Sequence, residues 1–267
     1  MKRLMSILLV FTLLLTSAFA LASCGKDDTQ PSGDLATIKA DGKLVVGITD
    51  YAPMDYKDAN GKWIGFDAEL AEMFAASLGV KCEFVEIDWD SKVNEINSKQ
   101  IDLIWNGMTA SDELGTKIDF SVSYAKNAQV AVVKKGSGIT KDTVATCTVA
   151  VEGGSAGETT ANDVIKPAKV NVAENQVAAL LEVAAGTSQV AVIDITMAQS
   201  VVGKGNYADL EVVEGATYGD EIFAVGLRQG SDLKATLDAF LKAKYADGTI
   251  TELATKYEVG INEDALK

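Results

Sequence analysis

The chain reads as an α/β protein of two lobes, joined by two crossing strands with a ligand cleft between them. Three observations predict this. Strand-like and helix-like segments alternate through the first half, and the alternation begins afresh after residue 148; such a rhythm belongs to largely parallel sheets with helices on their faces. Between the two series stands an apolar run, QVAVVKK (129–135), and after the second stands FAVGL (223–227), its expected return partner. The 267 residues, 48% apolar and 23% charged, are enough to build two cores of ordinary size.

The first 23 residues stand apart from that fold. Lys2 and Arg3 precede an apolar run over 5–20, closed by Leu21-Ala22-Ser23-Cys24. A short basic head, an apolar segment and small residues at its end describe a secretory signal, and the run is short of the ~20 residues a bilayer-spanning helix needs. The LASC ending resembles the bacterial lipobox, whose cysteine is lipidated and becomes the new N-terminus. Cys24 is therefore the expected lipid anchor, holding the protein outside the cytoplasm on the cell membrane. The polar, turn-rich GKDDTQPSG that follows reads as a flexible tether over 24–34. The expected lobe limits are 35–130 with 224–267 for the first, and 136–219 for the second.

In the first lobe, LVVGIT (44–49) is a buried strand by its unbroken apolar run. A hairpin follows, turning at Asp58-Ala59-Asn60-Gly61, where Asn-Gly accepts positive φ. Asp67 is placed to cap a helix with the stripe Leu70, Ala71, Phe74, Ala75 and Leu78, ended by Gly79. A strand over 80–87, a helix over 90–98 and a strand over 101–105 complete the unit. In the second lobe a strand over 148–151 leads into GGSAG, which opens a helix towards Ile165. A strand over 169–172, a helix over 174–185 ended by Gly186, and QVAVI (189–193) with Asp194 at its end come next. Two helices, over 232–245 and 249–257, finish the chain. Open α/β sheets bind ligands beyond the carboxyl ends of their strands, and the junction of two lobes is a favoured place for a small-molecule pocket.

Charge and composition narrow the chemistry. Removing residues 1–23 takes away two basic residues and no acidic ones, so the mature chain carries a formal charge of −16. That field opposes nucleic acid and anionic surfaces. Histidine is absent, which excludes Ser-His-Asp and Cys-His catalysis and histidine metal sites. Cys82 and Cys147 lie in strand-like apolar segments and are expected as buried thiols rather than a disulfide. Asp55, Asp58, Asn60, Gly61 and Asp67 do not fit a calcium loop's spacing, and the hairpin turn accounts for them. The glycines of 153–157 match neither a P-loop nor a dinucleotide fingerprint. No cofactor and no metal are expected.

Taken in order, GITDYAPM through IDLIWNGMT, then KIDFSVSYAKNAQVAVVKK, QVAVID and ADGTITELATKYEVG resemble the amino-acid-binding, extracellular solute-binding proteins of bacterial ABC importers, over about residues 35–260. The resemblance implies a periplasmic-binding-protein-like fold, one small polar ligand per cleft, hinge closure on binding, a monomer and a permease partner. By position, Tyr51 and Trp89 resemble the aromatic walls around the ligand's side chain. Asn106, Gly107 and Thr109 resemble the strand-end loop that grips the ligand's amino and carboxylate groups. Asp194 resembles the carboxylate that pairs with the amino group, although an aspartate at a strand end also serves as the cap of the next helix.

Two departures open the question of ligand class. Five residues beyond Thr109 the family carries an arginine whose fork pairs with the ligand carboxylate; Leu114 stands here. Where the family often has a threonine on the glycine-rich loop, this chain has Ala156, and Glu152 adds negative charge just upstream. On one reading an amino acid's carboxylate is held by Thr109, Ser155 and helix-start amides. On the other the ligand is an amine or another cation, held by Asp194, Glu152 and aromatic faces. The same fold also hosts a dehydratase in which a cleft carboxylic acid is the general acid. The lost arginine and the lipid anchor argue against that enzyme.

Overall fold

The computed structural model describes residues 33–267. The signal segment, the lipobox with Cys24 and nearly all of the tether lie outside the described residues. A helix α1 (Asp34–Asp41) that the polar sequence did not announce leads into β1 (Lys43–Ile48). The short strands β2 (Tyr56–Lys57) and β3 (Trp63–Ile64) form the expected hairpin, with Asp58 accepting from the backbone amides of Asn60 at 2.8 Å and Lys62 at 2.9 Å. Helix α2 (Phe66–Leu78) buries Leu70, Ala71, Phe74 and Ala75 and stops at Gly79, as its stripe required.

One expectation fails at the start of α2. The capping position is Gly65, not Asp67, and a Cβ at Gly65 would meet the Met54 carbonyl oxygen at 2.1 Å. Asp67 lies inside the first turn and is fully buried. It has turned inward because the cleft wall offers it better donors, described below.

The first sheet runs β4-β1-β5-β12-β6, with β4 (Lys81–Glu86), β5 (Leu103–Ile104), β6 (Asp119–Phe120) and β12 (Gly226–Leu227). Its first three strands are parallel; β12 and β6 are antiparallel additions. Helix α3 (Lys92–Asn97) follows one 3-10 turn at Trp89–Ser91, and the four-residue α4 (Asp112–Gly115) follows β5. The second sheet runs β11-β7-β10-β8-β9, with β7 (Ala125–Lys134), β8 (Thr148–Glu152), β9 (Lys169–Ala173), β10 (Val190–Asp194) and β11 (Leu210–Phe223). Helix α5 (Ala156–Thr160) continues as a π-helical turn to Ile165, α6 (Gln176–Ala185) covers β8 and β10, and α7 (Ile195–Val201) follows Asp194. Helices α8 (Leu233–Ala246) and α9 (Thr249–Tyr257) close the chain against the first sheet's layer.

The return strand is also corrected. β7 pairs antiparallel with β10 on one edge and with β11, fourteen residues long, on the other, while the FAVGL segment mostly serves the first sheet through β12. β11 escapes a pattern reading because Gly215 and Gly219, both at positive φ, interrupt it, and its register slips between Val212 and Thr217 and again between Tyr218 and Glu221. The chain crosses between sheets at 121–124 and at 224–225. Cys147 is buried but sits after a 3-10 turn rather than in a strand, and Cys82 is only partly buried; both are free thiols.

Candidate functional site: the cleft between the sheets

A cleft of about 690 Å³ lies where the two sheets face each other. Tyr51, Trp89, Asn106, Gly107, Thr109, Leu114, Glu152, Ser155, Ala156 and Asp194 all line it. They come from strand ends and the loops just beyond them: Tyr51 after β1, Asn106–Thr109 after β5, Glu152–Ala156 after β8 and Asp194 at the end of β10.

The wall from the first sheet is rigidly backed. Asn106 Oδ1 accepts from the Thr49 backbone N–H at 3.0 Å and hydroxyl at 2.7 Å, while its Nδ2 donates to Asp55 Oδ2 at 2.7 Å. The Gly107 N–H donates to Asp67 Oδ2 at 2.6 Å, and the Tyr124 hydroxyl donates to the same oxygen at 2.7 Å. Gly107 adopts φ +54, and a Cβ there would lie 2.5 Å from the Tyr51 ring. Asp55 and Asp67 are both completely buried, and burial holds both carboxyls well above the ordinary carboxylate range. Tyr51 packs edge-on against Phe223 with centroids 6.4 Å apart. Trp89 joins a cluster of Ile96, Ile101, Ile104, Met108 and Ile118 while facing the cleft.

The opposite side is acidic. Asp194 is at the helix start, yet its side chain makes no capping bond to α7. It accepts instead from three side-chain amides: Asn127, Gln129 at 2.7 Å, and Gln176. Asn127 and Gln129 donate again, at 2.7 and 3.0 Å, to Glu221 Oε2, which also accepts the Thr109 hydroxyl at 2.9 Å. Burial, then the charge of Glu221, raises the Asp194 carboxyl to about 6. Burial, then the charge of Asp194, raises Glu152 to about 8. Glu152 is 3% exposed, and its Oε1 has no hydrogen-bond partner; the buried Tyr51 hydroxyl has none either.

Ser155 caps α5, accepting from the Glu158 N–H at 3.1 Å and donating to the Glu152 carbonyl at 2.7 Å. Lys92 spans the cleft mouth. Its Nζ donates to the Trp89 carbonyl at 3.0 Å and, from the other side, to the Gly154 carbonyl at 2.7 Å, with the Trp89 centroid 4.8 Å away. Burial lowers its pKa. Gly154 has φ +67, and a Cβ there would meet Asp90 Cα at 2.8 Å, so the two sides touch at this glycine.

Sequence reading missed Glu221, Gln176 and Lys92, all of which line the cleft, and the backing pair Asn127 and Gln129. A signal existed for the pair: two amides at alternate positions of an otherwise apolar strand, AKNAQVAVVK, share one face. Nothing local singled out Glu221 from its neighbour Asp220, since only the register slip in β11 aims it inward.

Two sheets of this kind with a cleft at their strand ends define a two-lobed ligand-binding protein. The chain belongs to the bacterial extracellular solute-binding proteins, family 3, whose model matches residues 44–260. It is 30% identical over 231 residues to the L-cystine-binding protein TcyJ of Escherichia coli K12, covering 84% of this chain and 86% of that one. It is also 30% identical over 247 residues to the arginine-binding extracellular protein ArtP of Bacillus subtilis 168, covering 91% and 94%. A solved structure of the ancestral amino acid-binding protein AncCDT-1, a precursor of cyclohexadienyl dehydratase, matches with TM-score 0.76 at 32% identity, over 84% of this chain and 98% of that one.

Proposed function

We propose that the chain is the extracytoplasmic solute receptor of an ABC importer, capturing an amino acid or an amine related to one through its ammonium group. The observation that carries this reading is Asp194, a buried carboxylate facing the cleft that accepts from three neutral amides. An ammonium ligand supplies the charge that those amides lack. Cystine- and arginine-binding relatives support a ligand of this kind.

In this reading Tyr51, Trp89, Asn106, Gly107, Thr109, Leu114, Glu152, Ser155, Ala156 and Asp194 contact the ligand. The lobes follow the limits 35–130 with 224–267 and 136–219. A ligand that touches both lobes only when they are closed shifts the population to the closed form, which the permease recognises. The protein acts as a monomer, without catalysis, tethered through lipidated Cys24. Cys24→Ala should move it from the membrane fraction to the soluble one, and lipid labelling of that variant would remove the anchor.

The test of the ligand reading is a thermal-shift screen against amino acids and amines. Ligand at ~1,000 times Kd stabilises by roughly 4 kcal/mol, about 8–16 °C for a chain of this size. A flat response to every ammonium compound would overturn the reading.

A further inference from the structure

Carboxylates and cations are unevenly matched in the cleft. Among the described residues, Asp90, Glu113, Glu152, Glu158, Asp194 and Glu221 line it against only Lys92 and Lys117. Both lysines are engaged: Lys92 by two backbone carbonyls, and Lys117 by Glu113 at 2.8 Å. Guanidinium is not in reserve. The mature sequence contains one arginine, Arg228. It is outside the cleft lining, held by Asp34 and Asp102 and by the carbonyls of Ile96 and Ile101.

Two of the cleft's hydroxyls are committed elsewhere. Thr109 donates to Glu221, Ser155 donates to the Glu152 carbonyl, and position 156 is an alanine. The Gly154 amide donates to Glu158 at 2.8 Å. At position 114 the cleft presents an apolar side chain. A ligand carboxylate entering here would face Asp194 and Glu221 with both cleft lysines already engaged, and burying it so is prohibitive.

The acceptors, by contrast, are waiting. Glu152 Oε1 is buried and unpartnered, and so is the Tyr51 hydroxyl, which also accepts. Asp194 and Glu221 sit close enough to share both the Asn127 and the Gln129 amide, with no cation between them. One ammonium cannot neutralise three carboxylates. Two can bring the group close to balance.

From this arrangement we infer that the ligand is a small organic cation without a carboxylate, and that an aliphatic diamine is the form that fits it: one ammonium against Asp194 and Glu221, the other against Glu152. The inference rests on the ammonium reading above and sharpens it to a ligand class.

Calorimetric titration of the mature protein with matched pairs separates the two claims: ornithine with 1,4-diaminobutane, lysine with 1,5-diaminopentane, and arginine with agmatine. The amine of at least one pair should bind ten-fold or more tightly than its amino acid. An amino acid that binds as well as its amine, or silence from all six, overturns the diamine inference and leaves the ammonium reading to the full screen of amino acids and amines. Two variants bear on the site itself. Leu114→Arg should weaken the amine and strengthen the amino acid, ten-fold or more in their ratio. Glu152→Gln should weaken the diamine at least ten-fold while leaving the unliganded unfolding midpoint as high as before. Unchanged diamine affinity in Glu152→Gln would take Glu152 out of the site and the inference with it.

Discussion

Two groups of buried carboxylates stand on opposite sides of one cleft and do different work. Asp55 and Asp67 are sealed behind the loop at Asn106–Gly107, where they grip an amide side chain, a backbone N–H and a tyrosine hydroxyl. Asp194 and Glu221 accept from the side-chain amides of Asn127 and Gln129, and together with Glu152 they open onto the cavity. Burial raises the carboxyls of Asp55, Asp67, Glu152 and Asp194 alike. The sealed pair is fully buried and does not line the cleft, so it is scaffold. The open group faces a cavity of about 690 Å³, which is why it is the proposed site. Titration alone does not tell them apart; access does.

The largest effect that would break this comparison belongs to the scaffold. Asp67→Ala leaves the Gly107 N–H and the Tyr124 hydroxyl buried without their acceptor, at about 1–3 kcal/mol each. Urea denaturation should show a loss of roughly 2–5 kcal/mol, and a loss under ~0.5 kcal/mol would mean the wall does not depend on it. Next comes Asp194→Ala, which should cost ligand affinity 30-fold or more, about 2 kcal/mol, measured by calorimetry. The unliganded protein should lose less stability than Asp67→Ala does, because the amide bonds lost to Asn127, Gln129 and Gln176 are offset by removal of a desolvated charge. An affinity left intact would erase the distinction between the groups.

The pH dependence sharpens it. Glu152 is raised from an ordinary 4.5 to about 8, and Asp194 from 3.8 to about 6. A carboxyl with a raised folded-state pKa adds stability that is complete below its unfolded value and is lost as pH climbs through the folded one. Stability of the unliganded protein should therefore fall between about pH 4 and pH 8. Glu152→Gln should flatten the upper part of that fall, and a saturating amine should do the same, because it favours the charged forms. A slope that neither changes belongs to the sealed pair. The smallest effect is at the aromatic wall: Trp89→Leu should weaken a cationic ligand by roughly 0.5–2 kcal/mol, the worth of a cation over an indole face, read from Kd by calorimetry.

Much of the fold was legible because its units announce themselves locally. The stripe of α2, the Asn60-Gly61 turn and the apolar runs of β1 and β10 each carry their own period. β11 did not, because its glycines and register slips spread the pattern over two frames. The ten residues expected at the site do come together in one cleft. Their partners were harder to see. Glu221 lies 27 residues beyond Asp194, and the two meet only because β7 pairs with β10 on one edge and β11 on the other. Asp67 looked like a cap because sequence shows proximity to a helix start but not the direction of a side chain. Lys92 looked like the surface of a helix, and only the fold brings Gly154 over it.

That last contact gives the lysine a second meaning. Its Nζ donates to the Trp89 carbonyl at 3.0 Å and to the Gly154 carbonyl at 2.7 Å, so one side chain fastens one wall to the other. Burial disfavours the charge it carries while the two carbonyls welcome it. It is a clasp between the walls, held by backbone oxygens that no substitution of a neighbouring side chain removes.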